Sequence, residues 1–286
     1  MTDKKHVLAC IDGSAITDSV CDYASWYASR LGLPVTLLNV IEVPASTRQS
    51  LAGTIGMNNR QELSDRLTQL DAQRSELAND YSQALVADAK NYITANYDIE
   101  VDTYRRRGKL LSVIEHIKDQ NLAIVMGRHG EDYKNGRINV GSHIETIARA
   151  TSMPMLICSQ SFKAPSSYMI AFDASETAIK AVDLMAKSPL LKDMLGHIVM
   201  VGHHNEASKQ SLLTVTEQLQ SAGFKVESHH LPESDAVDAL LDFQQKNHIE
   251  LIVIGAYGRS KWQQLFLGST TTKLIAKTSL PILLLR

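Results

Sequence analysis

A cluster of glycines and hydroxyl side chains near the C-terminus has the spacing of a phosphate-binding loop. Two glycines separated by two residues follow a strongly apolar run, and nine residues later a Gly-Ser-Thr triplet opens a helical segment. Glycine lets the backbone adopt positive φ and approach an anion closely, and a helix start offers N–H groups and partial positive charge. The residues we assign to this site are Gly255, Gly258, Arg259, Gly268, Ser269 and Thr270.

A second version of the same pattern lies in the first half of the chain. Gly127 and Gly130 are followed, after ten residues, by Gly141 and Ser142. In parallel α/β sheets, ligands bind at the carboxyl ends of the strands, where such loops lie. We therefore expect two related candidate sites, one in each half.

The chain is an internal repeat, and the repeat predicts its architecture. Three segment pairs match in the same order: 8–14 with 169–175, 122–130 with 250–258, and 153–158 with 280–285. Each half alternates apolar strands with helical segments, which predicts an α/β fold of two tandem, doubly wound, five-stranded parallel sheets. The serine-rich stretch at 159–167 predicts a linker between a first domain, 1–160, and a second domain, 166–286.

Together with the first strand of each half, the C-terminal segment 255–285 resembles the universal stress protein family, whose nucleotide-binding members carry G-x2-G-x9-G-[S/T]. The resemblance covers both halves and implies an adenine nucleotide α-hydrolase-like fold with two pseudo-twofold-related domains. It also implies that Asp12 and Asp173, after the first strands, contact nucleotide. By the same resemblance Val40 and Val201 lie near adenine, and the glycine loops hold phosphates.

The two copies are not equivalent. The first glycine loop is one residue longer than the family pattern and carries an acidic pair at 131–132. Ser142 is followed three residues on by Glu145, a capping-box arrangement that would satisfy the helix start internally. In the second half, Ala174 stands where the first half has Gly13. We predict that ATP or a related adenine nucleotide binds in the second domain, and leave an accompanying Mg²⁺ open.

Three functions stay open at this point. The first is a regulatory, stress-response nucleotide-binding protein, and the second is a slow ATPase. The third is a nucleotide-independent interaction module with degenerate sites. No G-x-S-x-G nucleophile elbow is present in the sequence, and we assign no catalytic residue.

The chief asymmetry between the halves is a long helical insert near residues 57–96. Its apolar residues recur at steps of three, four and seven: Leu63, Leu67, Leu70, Leu77, Tyr81 and Leu85. Three roles stay open for this helix: it covers the sheet alone, it forms a homodimer, or it binds an unidentified protein partner. Separately, Met153–Cys158 and Pro281–Leu285 are expected to pair across the halves, as the last strands of the resembling family do.

Net charge and cysteine content argue against several classes of protein. The net charge of −2 gives no support for nucleic-acid or membrane binding. Three cysteines without close pairs suit a reducing compartment, and we expect a cytoplasmic protein. Adjacent histidine pairs at 203–204 and 229–230 offer only one ligand per strand face, so no metal site is predicted.

Overall fold

The computed structural model describes residues 4–42, 57–128, 142–202, 205–255 and 269–286. Within them ten strands form one sheet in the order β3-β2-β1-β4-β5-β10-β9-β6-β7-β8. The strands are β1 His6–Cys10, β2 Val35–Ile41, β3 Val101–Arg107, β4 Asn121–Gly127, β5 Met155–Cys158, β6 Ser167–Ala171, β7 Leu195–Val201, β8 Lys225–Leu231, β9 Leu251–Gly255 and β10 Ile282–Leu285. The helices are α1 Thr17–Leu31, α2 Met57–Asn96, α3 Leu110–Ile117, α4 Ser142–Ala150, α5 Glu176–Ala186, α6 Glu206–Ser221, α7 Ala236–Lys246 and α8 Ser269–Lys277.

Both halves of the sheet have the same strand order. Counting strands within a half, the order is 3-2-1-4-5, and all pairs inside a half are parallel. Successive strands are added toward one edge of the sheet from β1 to β3 and toward the opposite edge from β4 to β5. The order of connection therefore reverses between β1 and β4, and in the second half between β6 and β9, which gives one switch point per half. The predicted fold is confirmed, with the two five-stranded sheets joined into one.

The joint between the halves is the pair of final strands. β5 and β10 are antiparallel, with Ile157 opposite Ile282 and Leu156 opposite Leu283. The predicted pairing across the halves is therefore confirmed. It removes two exposed sheet edges, which would otherwise be sites for aggregation.

Each face of the sheet carries its own apolar core because neighbouring side chains on a strand point to opposite faces. Helices α1, α2, α5 and α6 cover one face, where Leu156 is fully buried. Helices α3, α4, α7 and α8 cover the other, where Ile157 is fully buried. No described helix is long and apolar enough to span a bilayer.

The predicted long helix is confirmed as α2, which has 40 residues. Its C-terminal part is anchored by Ser82, Val86, Ala89 and Ile93, all buried at three- and four-residue steps. Three consecutive arginines, Arg105, Arg106 and Arg107, form the end of β3. Register with β2 continues to Arg107, which pairs with Ile41.

Two of these β3 arginines hold the middle of α2. The guanidinium of Arg107 donates to the Ser75 hydroxyl and, at 2.6 Å, to the Ser75 carbonyl. Arg105 donates to the Asn79 carbonyl at 3.2 Å. Because Arg107 ends β3, the helix residues before Ser75 extend past the carboxyl edge of the sheet. At 1.5 Å per residue, residues 57–74 form an arm of about 27 Å.

Candidate functional site

The predicted aspartates follow the first strand of each half and lie in closely similar turns. Asp12 Oδ1 accepts hydrogen bonds from the Ser14 N–H at 3.0 Å and from the Ser14 hydroxyl at 2.6 Å. Asp173 Oδ1 accepts from the Ser175 N–H at 3.0 Å. One carboxylate oxygen of each aspartate thus fixes its turn.

The central residue of each turn adopts the left-handed backbone conformation. Gly13 has a φ of 80° and Ala174 a φ of 57°. Ala174 therefore has the same left-handed backbone as Gly13, although this conformation is strained for a residue with a Cβ. The difference in sequence between the halves has not changed the shape of the turn.

In the second half, the glycine pattern begins at a point of close packing. A Cβ on Gly255 would lie 2.7 Å from the Thr177 carbonyl oxygen and 2.9 Å from Ala178 Cα. The end of β9 therefore contacts the first turn of α5. Ser175 caps that helix, its hydroxyl accepting from the Ala178 N–H at 3.2 Å. The structure thus brings the aspartate turn and the start of the glycine loop together.

Other predicted residues lie at the same edges. Val40 and Val201, near the ends of β2 and β7, are half-buried and pack against the α3–α4 and α7–α8 core. Helices α4 and α8 begin at Ser142 and Ser269, and Thr270 is exposed in the first turn of α8. The remaining predicted positions, Gly130, Gly141, Gly258, Arg259 and Gly268, lie outside the described residues.

Two observations in the first half concern the charges near its glycine loop. The Glu145 carboxylate accepts a hydrogen bond from Arg149, one turn further along α4. Arg128, directly after Gly127, is buried and donates to the Leu280 carbonyl of the second half. Burial lowers the pKa of Arg128. The cation at this position therefore ties the two halves together.

The sequence reasoning missed the contact that α2 makes with the first aspartate turn. The Tyr81 ring lies over Gly13, so that a Cβ there would lie 2.9 Å from Tyr81 Cζ and closer still to the hydroxyl oxygen. One residue on, Ser82 donates to Asn39 Oδ1 at 2.6 Å, and Asn39 Nδ2 donates to the Ile11 carbonyl at 2.8 Å. The available signal was Asn39, an amide side chain within the otherwise apolar run from Leu37 to Ile41.

The described residues also place histidines from neighbouring strands together. His197 on β7 and His229 on β8 are hydrogen-bonded, ring nitrogen to ring nitrogen, at 3.0 Å. The sequence prediction of no metal site considered only residues adjacent in sequence. His203 and His204 lie outside the described residues.

Comparison with known proteins agrees with this architecture. The profile of the universal stress protein family matches residues 4–159 and again residues 171–286. A universal stress protein of Synechocystis sp. is 32% identical over 287 residues, covering 99% of this chain and 100% of the relative. A universal stress protein structure from Archaeoglobus fulgidus has a TM-score of 0.69 at 17% identity, covering 98% of each chain. A Pseudomonas aeruginosa PAO1 structure has a TM-score of 0.59 at 12% identity, covering 99% of this chain and 92% of that one. The chain therefore belongs to the universal stress protein family and contains two copies of its domain.

Proposed function

We propose that this protein binds ATP or a related adenine nucleotide in its second half and acts in the stress response as a regulator. The observation that carries the proposal is the junction of β6, β9 and α5. There the Asp173 turn and Gly255 meet, and the G-x2-G-x9-G-S pattern leads from Gly255 to the start of α8 at Ser269. This arrangement supplies a carboxylate for a sugar or base and a helix start for phosphate.

The contrast with the first half favours the second as the binding site. In the first half, Tyr81 lies over the equivalent turn at Gly13. Arg128 is bound to the Leu280 carbonyl, and the loop after it contains the acidic pair at 131–132. A phosphate group would therefore meet less space and less positive charge there than in the second half.

Further parts of the proposal follow from the same site. Mg²⁺ would accompany the nucleotide through its phosphates, because this ion is usually held by phosphate oxygens and few protein ligands. Hydrolysis of the bound nucleotide should be slow, because we assign no catalytic residue to this site. The domains are proposed as 1–160 and 166–286. The cytoplasm is the proposed compartment, because Cys10, Cys21 and Cys158 are all free thiols.

Equilibrium dialysis with labelled ATP and Mg²⁺ tests this proposal. Gly258→Val should weaken binding at least about tenfold, because a branched side chain would keep the backbone away from the phosphates. Gly130→Val, the matched change in the first half, should leave affinity unchanged. Gly255→Val is unsuitable, because its side chain would overlap the backbone of α5. Absence of binding at millimolar ATP by the folded wild type would refute the proposal, as would equal loss in both variants.

The exposed leucines of α2, in and just beyond its arm, favour a second function, association of two copies of this chain. Leu67, Leu70 and Leu77 are 46%, 60% and 71% exposed, although they occupy one side of the helix. Their spacing, continued by Arg74 and Tyr81, alternates three and four residues, which is the repeat of a coiled-coil seam. A stripe of this kind is stabilised when a second helix covers it.

Charge favours an antiparallel pair of arms. A parallel pair would place the two exposed Arg74 side chains opposite each other. An antiparallel pair that sets Arg74 against Leu70 of the second copy brings Asp71 of that copy beside the guanidinium. The same register sets Leu67 against Leu77, so the stripe is complementary to itself under twofold symmetry.

Light scattering after size exclusion tests this association. The wild type should have the mass of a dimer, and Leu70→Asp with Leu77→Asp should have the mass of a monomer. Leu213→Asp, at a leucine that is 48% exposed on α6, is the matched control and should remain dimeric. A monomeric wild type would refute the association. So would a dimer that survives the Leu70→Asp and Leu77→Asp substitutions.

A further inference from the structure

A group of three metal-ligating side chains lies on the outer two strands of the second half. His197 on β7 pairs in register with Glu227 on β8, and Val199 pairs with His229. Because side chains two residues apart share a face of a sheet, all three ligating groups lie on the same face. This is the face covered by α7. Their ligand atoms all lie within 4.8 Å of one another.

Individual distances suit a single small cation. His197 Nδ1 and His229 Nε2 are 3.0 Å apart, and His229 Nε2 is 4.0 Å from Glu227 Oε2. Zn²⁺ bonds of about 2.0–2.2 Å in a tetrahedral arrangement separate ligand atoms by roughly 3.3–3.5 Å. The two nitrogens therefore need to separate by only a few tenths of an ångström. The carboxylate needs to approach His229 by about half an ångström and His197 by up to about 1.4 Å, which rotation of the Glu227 side chain can supply.

The histidine–glutamate group is packed against α7 on one side and exposed to solvent on the other. His197 is buried, and the ring of Phe243 from α7 lies 5.8 Å from its ring and 4.8 Å from the His229 ring, centroid to centroid. The side chains of His229 and Glu227 are 28% and 65% exposed. Because β8 is the last strand of the sheet, an ion can enter from its side. The exposed Glu227 carboxylate can rotate to complete coordination.

We propose that His197, Glu227 and His229 form a binding site for a divalent transition metal, with Zn²⁺ as the expected ion. The donor set is two imidazole nitrogens and one carboxylate oxygen, which suits Zn²⁺ better than Mg²⁺ or Ca²⁺. Three protein ligands leave a fourth position for water, as in open zinc sites. The site is separate from the proposed nucleotide site, because His197 and Glu227 each lie third in their strands, well before the carboxyl ends.

Zinc titration of the full-length chain tests this site. The protein is freed of metal with a chelator and titrated with Zn²⁺ by calorimetry without nucleotide. We expect one ion per chain with a Kd on the order of micromolar or below. His229→Gln and Glu227→Gln should each weaken binding about tenfold to a hundredfold. Both side chains are partly exposed, so the variants should fold, which circular dichroism checks.

His230→Gln is the matched control on the same strand. His230 lies on the opposite face of β8, where its Nε2 is bonded to the Gly202 carbonyl at 2.6 Å. This variant should bind Zn²⁺ like the wild type. Co²⁺ should give the visible absorption of a tetrahedral site in the wild type and lose it in His229→Gln. The assignment is overturned if the wild type binds no more tightly than His229→Gln, or if His230→Gln loses as much affinity as His229→Gln.

Discussion

The Tyr81 ring lies directly over Gly13, so a helix that begins far from the first aspartate turn reaches across it. The space above that turn is occupied by a side chain of the same protein. Two features make Gly13 the residue that permits this contact. It has no Cβ, and its φ of 80° is in the left-handed region.

Gly13→Ala should therefore lower the free energy of unfolding by about 2 kcal/mol, from backbone strain and displacement of Tyr81. In the Tyr81→Ala background the same substitution should cost only the backbone part, about 1 kcal/mol. Urea unfolding of the wild type, both single variants and the double variant measures the coupling. Strict additivity would show that the ring does not constrain the turn.

Ala174→Gly should raise the free energy of unfolding by about 0.5–1 kcal/mol. Ala174 has a φ of 57°, and relief of this strain should exceed the entropy that glycine adds to the unfolded chain. Ala72→Gly, at an exposed position of α2, is the control and should lower stability by up to about 1 kcal/mol. Thermal unfolding of the two variants should give shifts of opposite sign. A destabilised Ala174→Gly protein would contradict the left-handed turn.

Gly255→Ala should be destabilising by about 2–3 kcal/mol, because its Cβ would overlap the backbone of Thr177 and Ala178. Backbone atoms cannot rotate away as a flexible side chain can. Gly32→Ala provides the comparison, because Gly32 has a φ of 63° and open space around it. Its cost should be about 1 kcal/mol from backbone strain alone. Equal costs in chemical denaturation would argue against close packing of β9 on α5.

Glu250 should make stability depend on pH in acid. Partial burial raises the pKa of Glu250, but hydrogen bonds from Lys163 and Ser166 outweigh it and lower the pKa from 4.5 to about 2. A depressed carboxyl pKa stabilises the fold above the unfolded-state value of 4.5, and this stabilisation is lost as the pH falls toward 2.

Glu250→Gln should therefore reduce stability at pH 7. It should also make stability fall less steeply between about pH 5 and pH 2. Unfolding measured by denaturant at a series of pH values checks both effects. Glu217→Gln, on the exposed surface of α6, should leave the pH profile unchanged. If Glu250→Gln and the wild type lose the same free energy of unfolding in acid, the hydrogen bonds from Lys163 and Ser166 to this carboxylate do not contribute to stability.

Much of the architecture was predictable because the repeat and the apolar runs are local patterns. Ser142 and Ser269 begin α4 and α8 as the Gly-Ser steps indicate, and both first-strand aspartates occupy matching turns. The extent of β3 is not evident from a local pattern, because its last three residues are arginines. Their pairing with β2, and the bonds of Arg105 and Arg107 to α2, extend the strand.

Contacts between distant segments were not predictable from spacing. The approach of Tyr81 to Gly13 depends on the path of α2 across the sheet, and no local pattern encodes that path. The pairing of His197 with His229 depends on the register of two parallel strands joined through a helix. A one-residue shift of that register would place the two rings on opposite faces.

The antiparallel pairing of β5 with β10 determines at which ends of the sheet the two halves present their binding surfaces. Every strand in one half runs opposite to every strand in the other, so the two carboxyl edges open at opposite ends of the sheet. The arm of α2 projects from one end, and the proposed nucleotide site faces the other. A nucleotide bound as proposed and a second copy bound along α2 would therefore lie toward opposite ends of the sheet, and neither would cover the other.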